Sequence, residues 1–266
     1  MIKAIYCLLL CCIISKVNAA EDWQLVAENS PPYIGERLVD NGWVTALTKA
    51  ALANQNINND IEFTSWNRAL ELTKINKKSA ILGAFYTDDR TELFYYSRPL
   101  ANVYVGLFKL KNRDINFDGS MDSLQPYSIC KGKGYAVSEV FSESNGLAIT
   151  STRGLINSLY MLQKGRIDLV AGTKEVGEYW LKNTDKLNEP GAAQIEYISP
   201  DLEHHQLHLM FPKSDPNAKQ NRDTLEQGFN NIVYNGTAKK ILVKHGFSTS
   251  KAAELITFLE QSSTRN

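Results

Sequence analysis

The sequence predicts an α/β protein with parallel sheets, arranged as two lobes. Three observations predict it. Apolar segments of strand character alternate with segments of helical period along most of the chain. A unit of helix, basic turn, apolar strand and glycine occurs within residues 69–84, with the glycine at Gly83, and again over 155–172, about 85 residues later. The length of 266 residues, 29.8 kDa, fits one large domain or two lobes of about 100 residues each. Any α/β chain repeats helix, turn and strand, so coincidence also accounts for the repeated unit.

The elements follow in order. Residues 22–27 read as a strand that ends at the turn cluster Asn29-Ser30-Pro31-Pro32. Residues 42–53 read as a helix with Val44, Leu47, Ala50 and Ala51 on one face. A strand over 61–64, a helix over 66–75 and a strand over 79–84 come next. A short helix then opens at Thr87, whose hydroxyl is placed to cap the first turn. The second half reads as strand 128–131, helices 137–142 and 153–163, strand 167–171 and helix 174–181. The tail holds a strand near 207–211 and helices near 217–234 and 237–244.

The N-terminus has its own character. Lys3 precedes an almost wholly apolar run over 5–14, and Val17-Asn18-Ala19 offers small residues where a signal peptidase reads. The run of about ten residues is short of the roughly 20 that a membrane span needs. Residues 1–19 therefore read as a secretory signal, and the rest as a periplasmic protein. Removal takes Lys3 and Lys16 and no acid, leaving 27 basic against 29 acidic residues. Cys7, Cys11 and Cys12 leave with the signal, so Cys130 has no intrachain partner. Hydrophobic residues at 43% and charged residues at 22%, with zero formal net charge, exclude a disordered chain, a rod and a nucleic-acid binder held by net charge.

Several pieces of sequence carry a resemblance. They are Pro31-Pro32-Tyr33, Trp66-Asn67-Arg68-Ala69-Leu70, Thr87-Asp88-Asp89-Arg90, Tyr96-Ser97-Arg98-Pro99-Leu100 and Gly165-Arg166-Ile167-Asp168. In this order and spacing the chain resembles the bacterial extracellular solute-binding proteins of family three, the polar amino-acid type. The resemblance implies a two-lobed periplasmic-binding-protein fold, a venus-flytrap that closes by hinge motion on a solute in its cleft. The chain would cross between lobes near 101–105 and return near 203–207. Lobe one is then 20–102 with 206–266, and lobe two is 103–205.

By the same resemblance Arg90 holds the ligand carboxylate, which a planar guanidinium does with two parallel charged hydrogen bonds. The alternative is a surface arginine paired with Asp88 or Glu92. Glu28 stands where an acid meets a ligand ammonium, or is a solvated loop acid. Trp66 and Tyr33 stand where aromatic walls flank the solute, or are core packing. Three positions depart from the family pattern. Gly83-Ala84 replace small hydroxyl residues, with Gly83 at the ligand edge of its strand. Lys131-Gly132-Lys133-Gly134-Tyr135 replaces a Gly-Ser/Thr-Thr turn. Thr173 stands for the acid that clamps an α-ammonium, with Glu175 as a substitute two residues on. Backbone N–H groups at Gly132–Gly134, backed by a helix start at Tyr135 and by Lys131 and Lys133, suit an anion. An acidic or non-standard solute follows, unless both lysines point outward.

Other motifs carry less. Asp114-x-Asn116-x-Asp118-Gly119 copies the first half of a calcium loop, but its twelfth position is Gln125 and no helix precedes it. His204 and His205 are strand neighbours and face opposite ways, which argues against a metal with His208. There is no Gly-x-Ser-x-Gly elbow and no Walker spacing, and Cys130 reads as an inert core thiol. The expectation is a monomeric, non-enzymatic receptor without cofactor or metal. It takes a small polar, carboxylate-bearing solute, with an inner-membrane ABC permease as its partner. The alternatives are a soluble sensing partner of a signalling protein, or a periplasmic enzyme on the same fold.

Overall fold

A computed structural model describes residues 21–262; the segment read as a secretory signal lies outside them. The chain runs β1 (Glu21–Ala27), α1 (Trp43–Asn54), β2 (Ile57–Phe63), α2 (Trp66–Lys74), β3 (Ala80–Phe85), α3 (Asp88–Thr91), β4 (Phe94–Tyr96) and β5 (Ala101–Leu110). It continues through β6 (Ser128–Gly132), α4 (Glu139–Glu143), β7 (Ala148–Thr152), α5 (Leu155–Gln163), β8 (Leu169–Thr173) and α6 (Lys174–Asn183). It ends with β9 (Ile195–Pro212), α7 (Ala218–Tyr234), α8 (Thr237–Lys244) and α9 (Thr249–Ser262).

Two similar half-sheets result. In the first, β2, β1 and β3 are parallel, and the C-terminal end of β9 runs antiparallel beside β3. In the second, β7, β6 and β8 are parallel, and the C-terminal end of β5 runs antiparallel beside β8. The long strands β5 and β9 pair with each other from Ala101↔Leu207 to Leu110↔Ile195. They join the halves into one nine-stranded sheet ordered β2-β1-β3-β9-β5-β8-β6-β7, with β4 also on β9. The halves are called lobe one and lobe two below.

The main apolar core is continuous from lobe one into lobe two, where it takes in Leu159, Leu162 and Val170. In lobe one the helical stripe Val44, Leu47 and Ala51 packs under Leu25, Phe211 and Phe229, all fully buried. In lobe two Leu107, Leu124, Ile129, Phe141 and Leu169 form a separate cluster. Full burial of such a side chain contributes about 1.5–3 kcal/mol each. Lobe one also encloses a charge. Arg98 is 1% exposed; its Nε donates to Glu226, its Nη2 to Asn230 Oδ1 at 2.6 Å and its Nη1 to the Leu259 carbonyl at 3.1 Å. This ties the segment before β5 to α7 and α9.

The structure differs from the sequence expectation in definite places. Strand β7 lies between the helices expected over 137–142 and 153–163, where no element is expected: its residues 148–151 are exposed at a sheet edge, so no apolar alternation marks it. Strand β9 spans 18 residues rather than 207–211, because only its last six residues are buried. Helix α9 was not expected. Thr87 is the N-cap of α3, but its hydroxyl makes no capping bond. The helix expected from residue 137 begins at Glu139, where the Ser138 hydroxyl accepts the Phe141 N–H at 3.0 Å.

Candidate ligand-binding cleft

The carboxyl ends of β1 and β3 and the N-terminus of α2 face the carboxyl ends of β6 and β8 and the N-terminus of α5 across a cleft. This is where open α/β sheets place ligands. A cavity of about 50 Å³ remains there, lined among others by Glu28, Tyr33, Trp66, Gly83, Arg90 and Thr173. It is well below the ~300 Å³ of a typical small-molecule pocket. The lobes are closed on one another, and protein groups occupy the space between them.

Arg90 reaches the cleft from α3. Its Nη1 donates to the Phe85 carbonyl at 3.1 Å, and its Nη2 crosses to the Gly134 carbonyl of lobe two at 3.0 Å. The guanidinium carbon sits 5.0 Å from the Trp66 ring centroid, a cation–π contact. Among the described residues Arg90 forms no ion pair, neither with Asp88 nor with Glu92. Burial pulls its pKa below the ordinary arginine value. A desolvated guanidinium held only by carbonyls retains its affinity for an anion. The Trp66 indole Nε1 also donates to Gly134, at 3.0 Å.

Glu28 follows β1 directly. Its carboxylate accepts the Tyr135 hydroxyl at 2.6 Å and lies by the backbone N–H of Trp66 at the start of α2. Burial raises its pKa to about 7, against the lowering effect of these two donors. The Tyr135 hydroxyl lies by the Leu155 backbone N–H at the start of α5. Its ring lies flat on Gly132, where a Cβ would stand 2.5 Å from it. The Tyr135–Glu28 hydrogen bond therefore spans the lobes, between the N-termini of α2 and α5.

Tyr33 is 7% exposed and packs on Trp43 at 5.7 Å, while its hydroxyl end lies beside Glu175 and is pushed up by burial and then by that acid. Glu175 sits in the first turn of α6; its Oε2 is buried without a hydrogen-bond partner, and burial raises its pKa. Thr173 is the N-cap of α6 and lines the cavity without a side-chain capping bond. Gly83 has φ +90° at the register shift of β3, and a Cβ there would meet Ile34 at 2.7 Å. The family's hydroxyl residue does not fit this backbone.

The second-lobe turn departs from its expected role. The N–H groups of Lys133 and Tyr135 are spent on Thr152 and Gly132 carbonyls, and no helix starts at Tyr135. Gly134 has φ +78° and presents its carbonyl, not an N–H nest, to lobe one. Lys133 is exposed and does not line the cavity. Lys131 turns inward, donates to the Tyr135 carbonyl at 2.9 Å, and is lowered by burial and by Arg90. The sequence reading missed Tyr135 as a cleft residue; an aromatic directly after a Gly-Lys-Gly turn was its one available signal.

The histidines diverge. His204 meets Asp201 at 3.2 Å, His205 bonds the Val137 carbonyl at 2.7 Å and stacks on Phe85, and His208 bonds the Ser97 carbonyl at 2.8 Å. Among the described residues no group of three or more His, Cys, Asp or Glu is placed to hold a metal. Cys130 is buried and free, 3.2 Å from the Ser158 hydroxyl. Among the described residues no helix is long and apolar enough to cross a membrane.

No protein-family model matches the chain, and no curated protein matches its sequence. Solved structures match its fold. A histidine kinase sensor domain with similarity to periplasmic binding proteins has a TM-score of 0.71 at 15% identity, over 84% of this chain and 96% of that one. The GluR0 ligand-binding core from Nostoc punctiforme, in complex with L-glutamate, has 0.67 at 18% identity, over 84% and 99%. ArtJ from Geobacillus stearothermophilus, an arginine-, lysine- and histidine-binding protein, has 0.70 at 14% identity, over 88% and 99%. The chain has the two-lobed periplasmic-binding-protein fold. It shares that fold with amino-acid receptors and with a sensor domain.

Proposed function

We propose that this chain is a periplasmic receptor that closes its two lobes on a small polar, carboxylate-bearing solute, an amino acid or a relative of one. One observation carries the reading: Arg90 points into the interlobe cleft with no carboxylate partner and spends its Nη2 on a carbonyl of the opposite lobe. A ligand carboxylate replaces that carbonyl with a charged, two-pronged contact. Tyr33, Trp66, Gly83 and Thr173 form the walls, Glu28 and Gly134 form the interlobe contacts that ligand entry rearranges, and Lys133 adds charge at the rim. The lobe boundaries in this reading are 20–102 with 206–266, and 103–205.

The chain is a monomer that serves an ABC importer in the inner membrane, exported by the signal over 1–19. It binds rather than turns over its solute. A second reading, a soluble sensing partner of a signalling protein, is favoured by the likeness to a histidine kinase sensor domain. The test is calorimetry with a panel of amino acids and small carboxylates on wild type and Arg90→Ala. Loss of the arginine is expected to cost about 1.5–3 kcal/mol of binding. Equal affinities for the two proteins remove Arg90 from the site.

A further inference from the structure

Beside the Arg90 cavity lies a second chamber of about 220 Å³ between the lobes. Asn29, Thr64 and Ser65 form its lobe-one side; Arg153 and Trp180 belong to its lobe-two side. Glu28 and Leu155 line both spaces. The partition is thus one side chain from each lobe, closed by the hydrogen bond from Tyr135 to Glu28. At Gly154, between Arg153 and Leu155, a Cβ would stand 2.7 Å from Glu28 Oε1, so the partition is narrow and tightly fitted.

Neither space pairs its arginine with a carboxylate: Arg90 is bonded to the Phe85 and Gly134 carbonyls, and Arg153 is an exposed residue on the wall of the second space. Among the described residues neither Arg90 nor Arg153 forms an ion pair. The carboxyl between them, Glu28, is already engaged by the Tyr135 hydroxyl, so it is not an open receptor for an ammonium. Its pKa of about 7 lets it stand between two anions as the neutral acid. A cleft with a cation at each end and a neutral, removable partition in the middle is matched by an elongated solute with an anionic group at each end.

We propose that the cleft takes a doubly anionic, elongated solute that spans both chambers, Arg90 binding one anionic end and Arg153 the other, after the Tyr135–Glu28 hydrogen bond opens. This inference rests on the carboxylate reading above and adds the second anchor. Sequence reasoning looked for the second positive group in Lys131 and Lys133. The structure ties Lys131 to a backbone carbonyl and leaves Lys133 outside the cavity.

The test is titration calorimetry with two unbranched series, α,ω-dicarboxylates from succinate to suberate and monocarboxylates of the same chain lengths. Wild type, Arg153→Gln and Arg90→Met are compared, with melting curves to establish folding. The expected result is a dicarboxylate affinity that peaks at one chain length. Arg153→Gln weakens that best dicarboxylate about tenfold or more and leaves the matched monocarboxylate unchanged, whereas Arg90→Met weakens both. If mono- and dicarboxylates bind alike and Arg153→Gln alters neither, the second anchor is refuted while the single-carboxylate reading stands. If neither series binds wild type, the second anchor fails, while the reading of Arg90 is decided separately by the amino-acid panel on wild type and Arg90→Ala.

Discussion

The Tyr135 hydroxyl donates to the Glu28 carboxylate at 2.6 Å, across the line that separates the two lobes. Together with the bonds from Arg90 and Trp66 to the Gly134 carbonyl, it closes the cleft with the protein's own groups. Ligand entry and this contact compete for the same space. Tyr135→Phe keeps the ring on Gly132 and removes the donor. Such a hydrogen bond is worth about 0.5–1.5 kcal/mol to the neutral acid and about 1.5–3 kcal/mol to the carboxylate, so the ligand-free protein is expected to shift toward an open form. Small-angle scattering without ligand reads this as a larger radius of gyration for the variant. Superimposable curves for the two proteins contradict the latch.

Arg98 and Glu226 form the buried ion pair of lobe one, with 1% and 16% of their side chains exposed. Removing one partner strands the other charge. Glu226→Gln leaves the Arg98 cation with only neutral acceptors, and a loss of about 3–5 kcal/mol is expected for breaking such a pair. Urea denaturation measures it. Because neither group lines the cleft, solute affinity at a temperature where the variant is folded is expected to match wild type.

What was legible in the sequence follows from what each segment buries. The stripe Val44, Leu47 and Ala51 and the apolar run Ala80-Ile81-Leu82 face the core, so their periods predict α1 and β3 to within a residue or so. Strand β7 and the first two thirds of β9 bury little and left no such trace. The pieces of sequence that resemble a solute receptor supplied the two-lobed fold and directed attention to Arg90, Glu28 and Trp66. The Tyr135–Glu28 contact was not legible. It joins residues 107 apart, and the turn that carries Tyr135 reads in sequence as a set of backbone N–H donors for an anion, whereas the Lys133 and Tyr135 N–H groups bond within lobe two and the turn offers a carbonyl.

Gly83 gives a direct check on the departure from that pattern. At φ +90° and with Ile34 Cδ1 2.7 Å from any Cβ, it accepts no side chain without strain. Gly83→Ser restores the hydroxyl typical of the family, yet it is expected to cost about 1–3 kcal/mol of stability rather than to improve binding. Thermal melting and calorimetry on the same preparation test both halves. A serine variant of wild-type stability that binds more tightly means that β3 adopts another path here.

Glu28 sets the pH dependence of stability. In the folded protein its pKa stands at about 7, raised by burial from 4.5. A group raised in this way contributes stability at pH below its unfolded value. That contribution is lost as pH climbs toward the folded value, because the unfolded chain releases its proton first. From pH 4.5 to about 7 the protein is therefore expected to lose on the order of 3 kcal/mol through this group, and to lose no more above it. Two imidazoles oppose the trend. Burial lowers the pKa of both His205 and His208, so their contribution grows as pH rises through the ordinary histidine range. The Glu28 share is isolated as the difference between wild type and Glu28→Gln, which keeps an acceptor for Tyr135 and cannot titrate. Urea midpoints at half-unit steps from pH 4.5 to 8 are expected to show the gap between the two proteins shifting in favour of Glu28→Gln until about pH 7 and then holding level. A gap that is constant across the range means that the carboxyl ionises as an ordinary surface glutamate and that the acid between the lobes is charged throughout.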